Sequence, residues 1–361
     1  MTSTTNALRI HAGPAARAVL AERGLRAEDV RMVVGAAGGP KGLVLGAIDR
    51  FLFADWLART PQPLHLVGAS IGAWRMATAA LDDPRAAFAR LSHEYIHQTY
   101  ELEPGRAMPT AEVVSRTFDQ ALHDFFDGRI EKLLAHPRWR LHIVVTRGRH
   151  LLAREGRWRT PAGYLGAWLS NAVSRKTLGA WLERVVFSSG SEPLPLDLGD
   201  LRHRRVPLDA GNFRPSLLAS CSIPFALKAV HDIPGAPPGA YWDGGITDYH
   251  LHWNYAPVAP GLVLYPHFQR EVVPGWLDKS HRRRHRATPF LDNVVVLAPD
   301  PAWIARLPNA KLPDRTDFRR YSSDLPARIA VWSRAVRESE RLADELAAAI
   351  DAGPGLRVDP L

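Results

Sequence analysis

The residues Gly68-Ala69-Ser70-Ile71-Gly72 hold a hydroxyl between glycines two positions to either side, the G-x-S-x-G spacing of a strand-to-helix turn too tight for larger side chains. Such a turn lifts a serine clear of the backbone, where it can attack a carbonyl carbon. The alternative is a plain glycine-bounded helix start. An apolar run over residues 64–67 and a helical pattern after Gly72 supply the context the nucleophile turn needs, so Ser70 is the candidate nucleophile.

A second glycine turn, Gly35-Ala36-Ala37-Gly38-Gly39-Pro40-Lys41-Gly42, lies upstream. A phosphate-cradling Walker loop needs Gly-Lys-Ser/Thr, whereas Pro40, Lys41 and Gly42 stand here, and the dinucleotide fingerprint fails at Ala37. What remains is a loop of exposed amides at a helix start, suited to an oxyanion that forms when a serine attacks a carbonyl, with Gly38 and Gly39 as the natural donors. Far downstream, Tyr241-Trp242-Asp243-Gly244-Gly245 sets one carboxylate at the end of an apolar strand; taken alone, Asp-Gly reads most simply as a turn.

His93-Glu94-Tyr95-Ile96-His97 is a literal H-E-x-x-H, the zinc-hydrolase spacing. Phe88, Leu91 and Tyr95 form the apolar face of that helix and put His93 and His97 on the opposite, solvent side, so no metal site is expected there. A Ser-Asp-His triad is the nearer rival, because His250 and His267 follow Asp243 in the order of an α/β-hydrolase. That fold normally places several strands before its serine; only two are evident before Ser70.

These turns require elements to hold them. Residues 31–34 and 64–67 read as strands, each followed by a glycine turn and a helix, and this βαβα pattern implies a parallel sheet with both turns at one carboxyl edge. A helix is expected over residues 14–23, closed by Gly24. Helices are expected through residues 85–135. Strands are expected over 138–146, 151–159, 239–242, 262–265 and 293–297, and one long amphipathic helix over 325–350. The resulting division is a lead-in helix (1–29), a main domain (30–300) and a helical extension packed on it (301–361).

Composition bounds the rest. The chain has 361 residues, 46% hydrophobic and 23% charged, as in a folded globular protein. Its net charge of +9 favours anionic surroundings, and the single cysteine, Cys221, excludes an intramolecular disulfide and fits a reducing compartment. No secretory signal or bilayer-spanning run is apparent, so a cytoplasmic location is expected. Residues 279–286 (Lys-Ser-His-Arg-Arg-Arg-His-Arg) form the densest basic run, which is either a solvated loop or a peripheral contact with anionic membrane. No nucleic-acid-binding signature accompanies the charge.

In order, Gly38-Gly39-Pro40-Lys41-Gly42, Gly68-Ala69-Ser70-Ile71-Gly72, residues 219–224 (Ala-Ser-Cys-Ser-Ile-Pro) and Asp243-Gly244-Gly245 resemble the patatin-like phospholipase family over roughly residues 30–250. The resemblance implies a three-layer α/β/α sandwich with a mostly parallel sheet that hydrolyses acyl esters of lipids without a cofactor. It implies Ser70 as nucleophile, Asp243 as its base in a dyad lacking histidine, and an oxyanion hole at Gly38 and Gly39. Lys41, Gly42, Gly68, Gly72, Gly244 and Gly245 would support these motifs. The chain departs from the family pattern at Ala37, where a third glycine is usual, and at Asp248, Tyr249 and His250, where an asparagine and a proline are common. The readings carried forward are a lipid acyl hydrolase, a triad esterase or polyester depolymerase, and a basic lipid-binding scaffold with a decayed site.

Overall fold

A computed structural model describes residues 6–106 and 108–361. The strands are β1 (Leu8–Ala12), β2 (Val30–Gly35), β3 (Leu64–Ala69), β4 (Trp139–Gly148), β5 (Leu182–Ser188), β6 (His203–Pro207), β7 (Val230–His231), β8 (Ala240–Trp242), β9 (Leu262–Pro266), β10 (Val294–Pro299) and β11 (Asp359–Pro360). They form one sheet in the order β11-β1-β10-β9-β2-β3-β4-β5-β6, with β8 also paired to β4 and β7 to β8. Neighbours from β10 through β4 are all parallel, whereas β1 runs antiparallel to β10 and β5 antiparallel to β4. The fold is therefore α/β with a large, mostly parallel central sheet and packed helices, compatible with three layers.

β9 and β10 are apolar and buried along their whole length, as central strands covered on both faces must be. The parallel register sets Gly35 beside Gly68, so the glycine turns after β2 and β3 emerge side by side at the carboxyl edge. Close approach fixes them: a Cβ on Gly72 would lie 1.9 Å from the Gly35 carbonyl oxygen.

Several elements differ from the sequence reading. Residues 8–12, expected to precede the fold as a lead-in, form β1 inside the sheet, paired with β10. Residues 151–159 are not a strand; the chain leaves β4 through a 3-10 turn (His150–Ala153) and enters the helix Arg159–Val173. The turn is pinned by buried Leu152, whose carbonyl oxygen comes so close that a Cβ on Gly148 would lie 1.9 Å from it. Its place beside β4 goes to β5, where Glu183 and Arg184 interrupt the apolar pattern yet are buried in ion pairs with Arg147 and Asp248. The expected helix over 325–350 is two helices, Leu325–Glu338 and Glu340–Asp351. They part at buried Ser339, whose hydroxyl donates back to the Val336 carbonyl at 2.6 Å, a bond that bends helices.

Candidate active site

Ser70 lies between β3 and the helix Ile71–Ala79 at φ 57° and ψ −131°, a backbone conformation that a non-glycine residue adopts only when its surroundings enforce it. The enforcement is visible. The Ser70 N–H donates to Ser220 Oγ at 2.9 Å, and that hydroxyl donates in turn to the Val144 carbonyl on β4 at 2.7 Å. A Cβ on Gly68 would sit 2.4 Å from the Ala73 amide nitrogen, so the turn closes only with glycine there.

The Ser70 hydroxyl donates to Asp243 Oδ2 at 2.8 Å, and both side chains are buried. The other carboxylate oxygen, Oδ1, accepts the Gly245 N–H at 2.7 Å. The Asp243 and Gly244 N–H groups donate to the Ser222 and Ser220 carbonyls at 2.9 and 3.1 Å, clamping the Asp-Gly turn onto the end of the helix Ala210–Cys221. Gly244 approaches β4 so closely that a Cβ would meet the Val144 carbonyl oxygen at 2.0 Å. Val144 and Ser220 are thus the common anchors of both turns.

Burial pushes the Asp243 carboxyl above the ordinary aspartate value, against the opposing pull of the Arg315 guanidinium, the Ser70 hydroxyl and the Gly245 amide. A carboxylate so held is a stronger base than one in water. Beside it, burial also pushes the Cys221 thiol up, so it stays protonated and non-nucleophilic.

In the loop after β2 the Ala37 N–H is used by the Tyr249 carbonyl at 2.9 Å, whereas among the described residues no backbone acceptor takes the N–H groups of Gly38 and Gly39. Gly39 lines the same cavity as Ser70, and Gly38 lies against the Phe268 ring, where a Cβ would be 2.4 Å from a ring carbon. Gly42 abuts Ile71 just past the serine. Lys41 points away from this cavity, 5.0 Å over the Phe268 ring.

Two cavities lie among these residues, with no lining residue in common. One, of about 70 Å³, touches Ser70 and is walled by Ile71, Trp74, Phe118, Ile223 and Leu227, an apolar lining suited to an acyl chain. The other is a larger basin of about 790 Å³ bounded by Lys41, Tyr249, Arg270, Lys279, Arg282 and Arg286. Burial and the neighbouring cations Arg315 and Lys41 push the Lys279 ammonium down to about 8, against the pull of Asp243. Arg315, in the 301–361 segment, lines the first cavity beside Gly39 and Ser70. Two residues on, Asp317 accepts from Trp332 Nε1 at 3.0 Å and pairs with Lys311 at 2.8 Å. No local motif marks Arg315, and Ser220 stands in the 219–224 block without a role assigned to it; each reaches the site through tertiary packing.

The competing constellations lie elsewhere. His93 and His97 stack on each other at 4.1 Å on the exposed face of the helix Pro84–His97, and Glu94 is paired with Arg90 at 2.6 Å. His250 and His267 are buried together with ring centroids 4.3 Å apart, and their Nδ1 atoms are engaged by the 267–273 backbone. Burial holds His267 down at about 3, so it is neutral near pH 7. Among the described residues no imidazole hydrogen-bonds Ser70 or Asp243, which contact each other directly. Asp248 is buried in an ion pair with Arg184 and accepts Trp253 Nε1 at 2.7 Å. It holds the segment that follows the Asp-Gly turn. The basic run is divided: Arg284 is bound to buried Asp278 at 2.7 Å, while Arg282, Arg283 and Arg286 are exposed.

No family model matches the chain, and no curated protein matches it.

Proposed function

We propose that this chain is a patatin-like serine acyl hydrolase, an α/β/α sandwich that cleaves carboxylic esters of lipids through an acyl-enzyme. The observation that carries this reading is the buried 2.8 Å contact between the Ser70 hydroxyl and Asp243, made from a strained strand-to-helix turn. In the first half-reaction Asp243 takes the Ser70 proton as Oγ bonds to the ester carbonyl carbon. The negative charge on the carbonyl oxygen is met by the Gly38 and Gly39 amides. Collapse breaks the bond to the alcohol, which leaves with the proton held by Asp243. Water then attacks the Ser70 ester, gives its proton to Asp243 and releases the acid, and the proton returns to Oγ. The protein's own groups balance every proton in this cycle, so it needs no cofactor.

The apolar wall of the cavity at Ser70 suits the acyl chain, and the separate basin that holds Lys41, Lys279, Arg282 and Arg286 suits a negatively charged group such as a phosphate-bearing headgroup. The direct Ser70–Asp243 bond favours the dyad over a histidine triad, because a relaying imidazole would have to sit between them. Among the described residues no helix is long and apolar enough to cross a membrane. Turnover of a short p-nitrophenyl ester by the parent chain, abolished in Ser70→Ala with an unchanged circular dichroism spectrum, is the expected result. No turnover by the parent on any carboxylic ester would leave the lipid-binding scaffold as the reading instead.

A further inference from the structure

The helix Arg159–Val173 is apolar on both faces. Its inward residues Gly163, Tyr164, Ala167 and Asn171 recur at three- and four-residue intervals and are buried. Its outward residues Leu165, Trp168, Leu169 and Val173 keep the same period, yet are 58%, 45%, 54% and 84% exposed. Between Arg159 and Arg175 the sequence holds no charged residue, where an ordinary surface helix places Lys and Glu. Trp158, just before it, is 76% exposed. Scattered exposed apolar side chains need no explanation; a contiguous stripe of them does.

Buried Asp278 joins this stripe to the basic run. Its carboxylate accepts Asn171 Nδ2 at 2.9 Å and Arg175 Nη1 at 2.8 Å from the helix side, and Arg284 Nη1 at 2.7 Å from the run. The central arginine of the run is thereby consumed in fixing its position, while Arg282, Arg283 and Arg286 remain exposed and unpaired among the described residues. The inner side of the same helix reaches the dyad: Tyr164 packs edge-on against Trp242, the neighbour of Asp243, at 5.9 Å, and against exposed Phe225 at 6.1 Å.

We propose that the outer face of Arg159–Val173, rimmed by Arg282, Arg283 and Arg286, is an interfacial docking surface for an anionic phospholipid bilayer. Its purpose, delivery of lipid ester to the dyad, rests on the reading above; its existence does not. The apolar stripe enters the boundary between headgroups and acyl chains, and the arginines meet lipid phosphates at its edge. At 1.5 Å per residue the helix spans about 22 Å, short of the roughly 30 Å hydrocarbon core, so it lies in the interface and does not cross it. A second copy of the chain is the poorer occupant. A two-fold contact through this patch would bring the same cationic rim of each copy together, in a protein of net charge +9.

The test is co-sedimentation with phosphatidylglycerol and with phosphatidylcholine vesicles at low and high salt, using Ser70→Ala as the parent so that lipid turnover plays no part. The parent is expected to bind phosphatidylglycerol more tightly. Trp168→Gln/Leu169→Gln is expected to weaken binding to both vesicle types about ten-fold or more. Arg282→Gln/Arg283→Gln/Arg286→Gln is expected to lose about a hundred-fold on phosphatidylglycerol at low salt and little at high salt. Quenching of parent tryptophan fluorescence by brominated lipid reads insertion without any substitution at the surface. Parent that ignores anionic vesicles and shows no quenching overturns the proposal, whatever its serine chemistry. So does a dimer by sedimentation equilibrium that Trp168→Gln/Leu169→Gln converts to monomer without changing vesicle binding.

Discussion

Ser220 holds the backbone of Ser70: its hydroxyl accepts the Ser70 N–H at 2.9 Å and donates a hydrogen bond to the Val144 carbonyl at 2.7 Å. One buried side chain thus fixes the strained turn to the neighbouring strand. Ser220→Ala would strand two buried backbone groups, a loss of about 1–3 kcal/mol. The expected outcome is a lower melting temperature together with a kcat for ester hydrolysis reduced about ten-fold or more at nearly unchanged KM, since the substrate pocket stays intact. Steady-state kinetics beside thermal melting checks it.

Asp243 is held above its unfolded-state pKa by burial, and the sign of the consequence is definite. Between the unfolded and folded values the native state binds more protons than the unfolded chain, so stability falls as pH rises through that window and stays reduced above it. Asp243→Asn keeps the acceptor for the Gly245 N–H, removes a buried charge and cannot take a proton. It is expected to abolish turnover while raising the melting temperature at pH 8 by roughly 1–3 °C. In the parent, activity should fall on the acid side at a pH above the usual aspartate range, as the base becomes protonated.

Arg315 lines the dyad cavity beside Gly39 and pulls Asp243 back toward its ionised form. Arg315→Met should therefore move the acid limb of the kcat/KM profile to higher pH. It should also lower kcat about ten-fold through the lost positive field at the oxyanion. Arg315→Lys should restore most of the pH profile. A profile identical in parent and Arg315→Met would show that the guanidinium does not act on the dyad.

Lys279 carries a proton below about 8 and loses it above. If the basin seats the charged portion of the substrate, KM for an anionic ester should rise between pH 7 and pH 9, and KM for a neutral ester should not. Lys279→Arg, which stays charged, should flatten that rise. Equal pH dependence for both esters would assign the basin no part in recognition.

The turns were legible because their chemistry is local. Gly68, Gly72 and Ser70 announce a tight strand-to-helix turn within five residues, and the β2 and β3 patterns around them are apolar except at Arg31 and His65. Asp243 was legible only as a turn residue until the resemblance gave it a role, because its contact with Ser70 joins positions 173 apart. Arg315 carried no signal, since an arginine in a basic segment looks like its neighbours, and Ser220 was marked only as one of the small residues of the 219–224 block, with no role attached. β5 was hidden by Glu183 and Arg184, which read as surface residues and are buried because Arg147 and Asp248 neutralise them. β1 was hidden by its shortness and by its pairing with β10 and β11, both far away in the sequence, which no local pattern encodes.

The nucleophile itself is tested most directly by reacting the folded protein with a fluorophosphonate and mapping the adduct by peptide mass spectrometry. The account predicts a single adduct on Ser70, slowed at least a hundred-fold in Asp243→Asn and absent in Ser70→Ala. Adduct on another serine, or no adduct from a parent that hydrolyses esters, would contradict it.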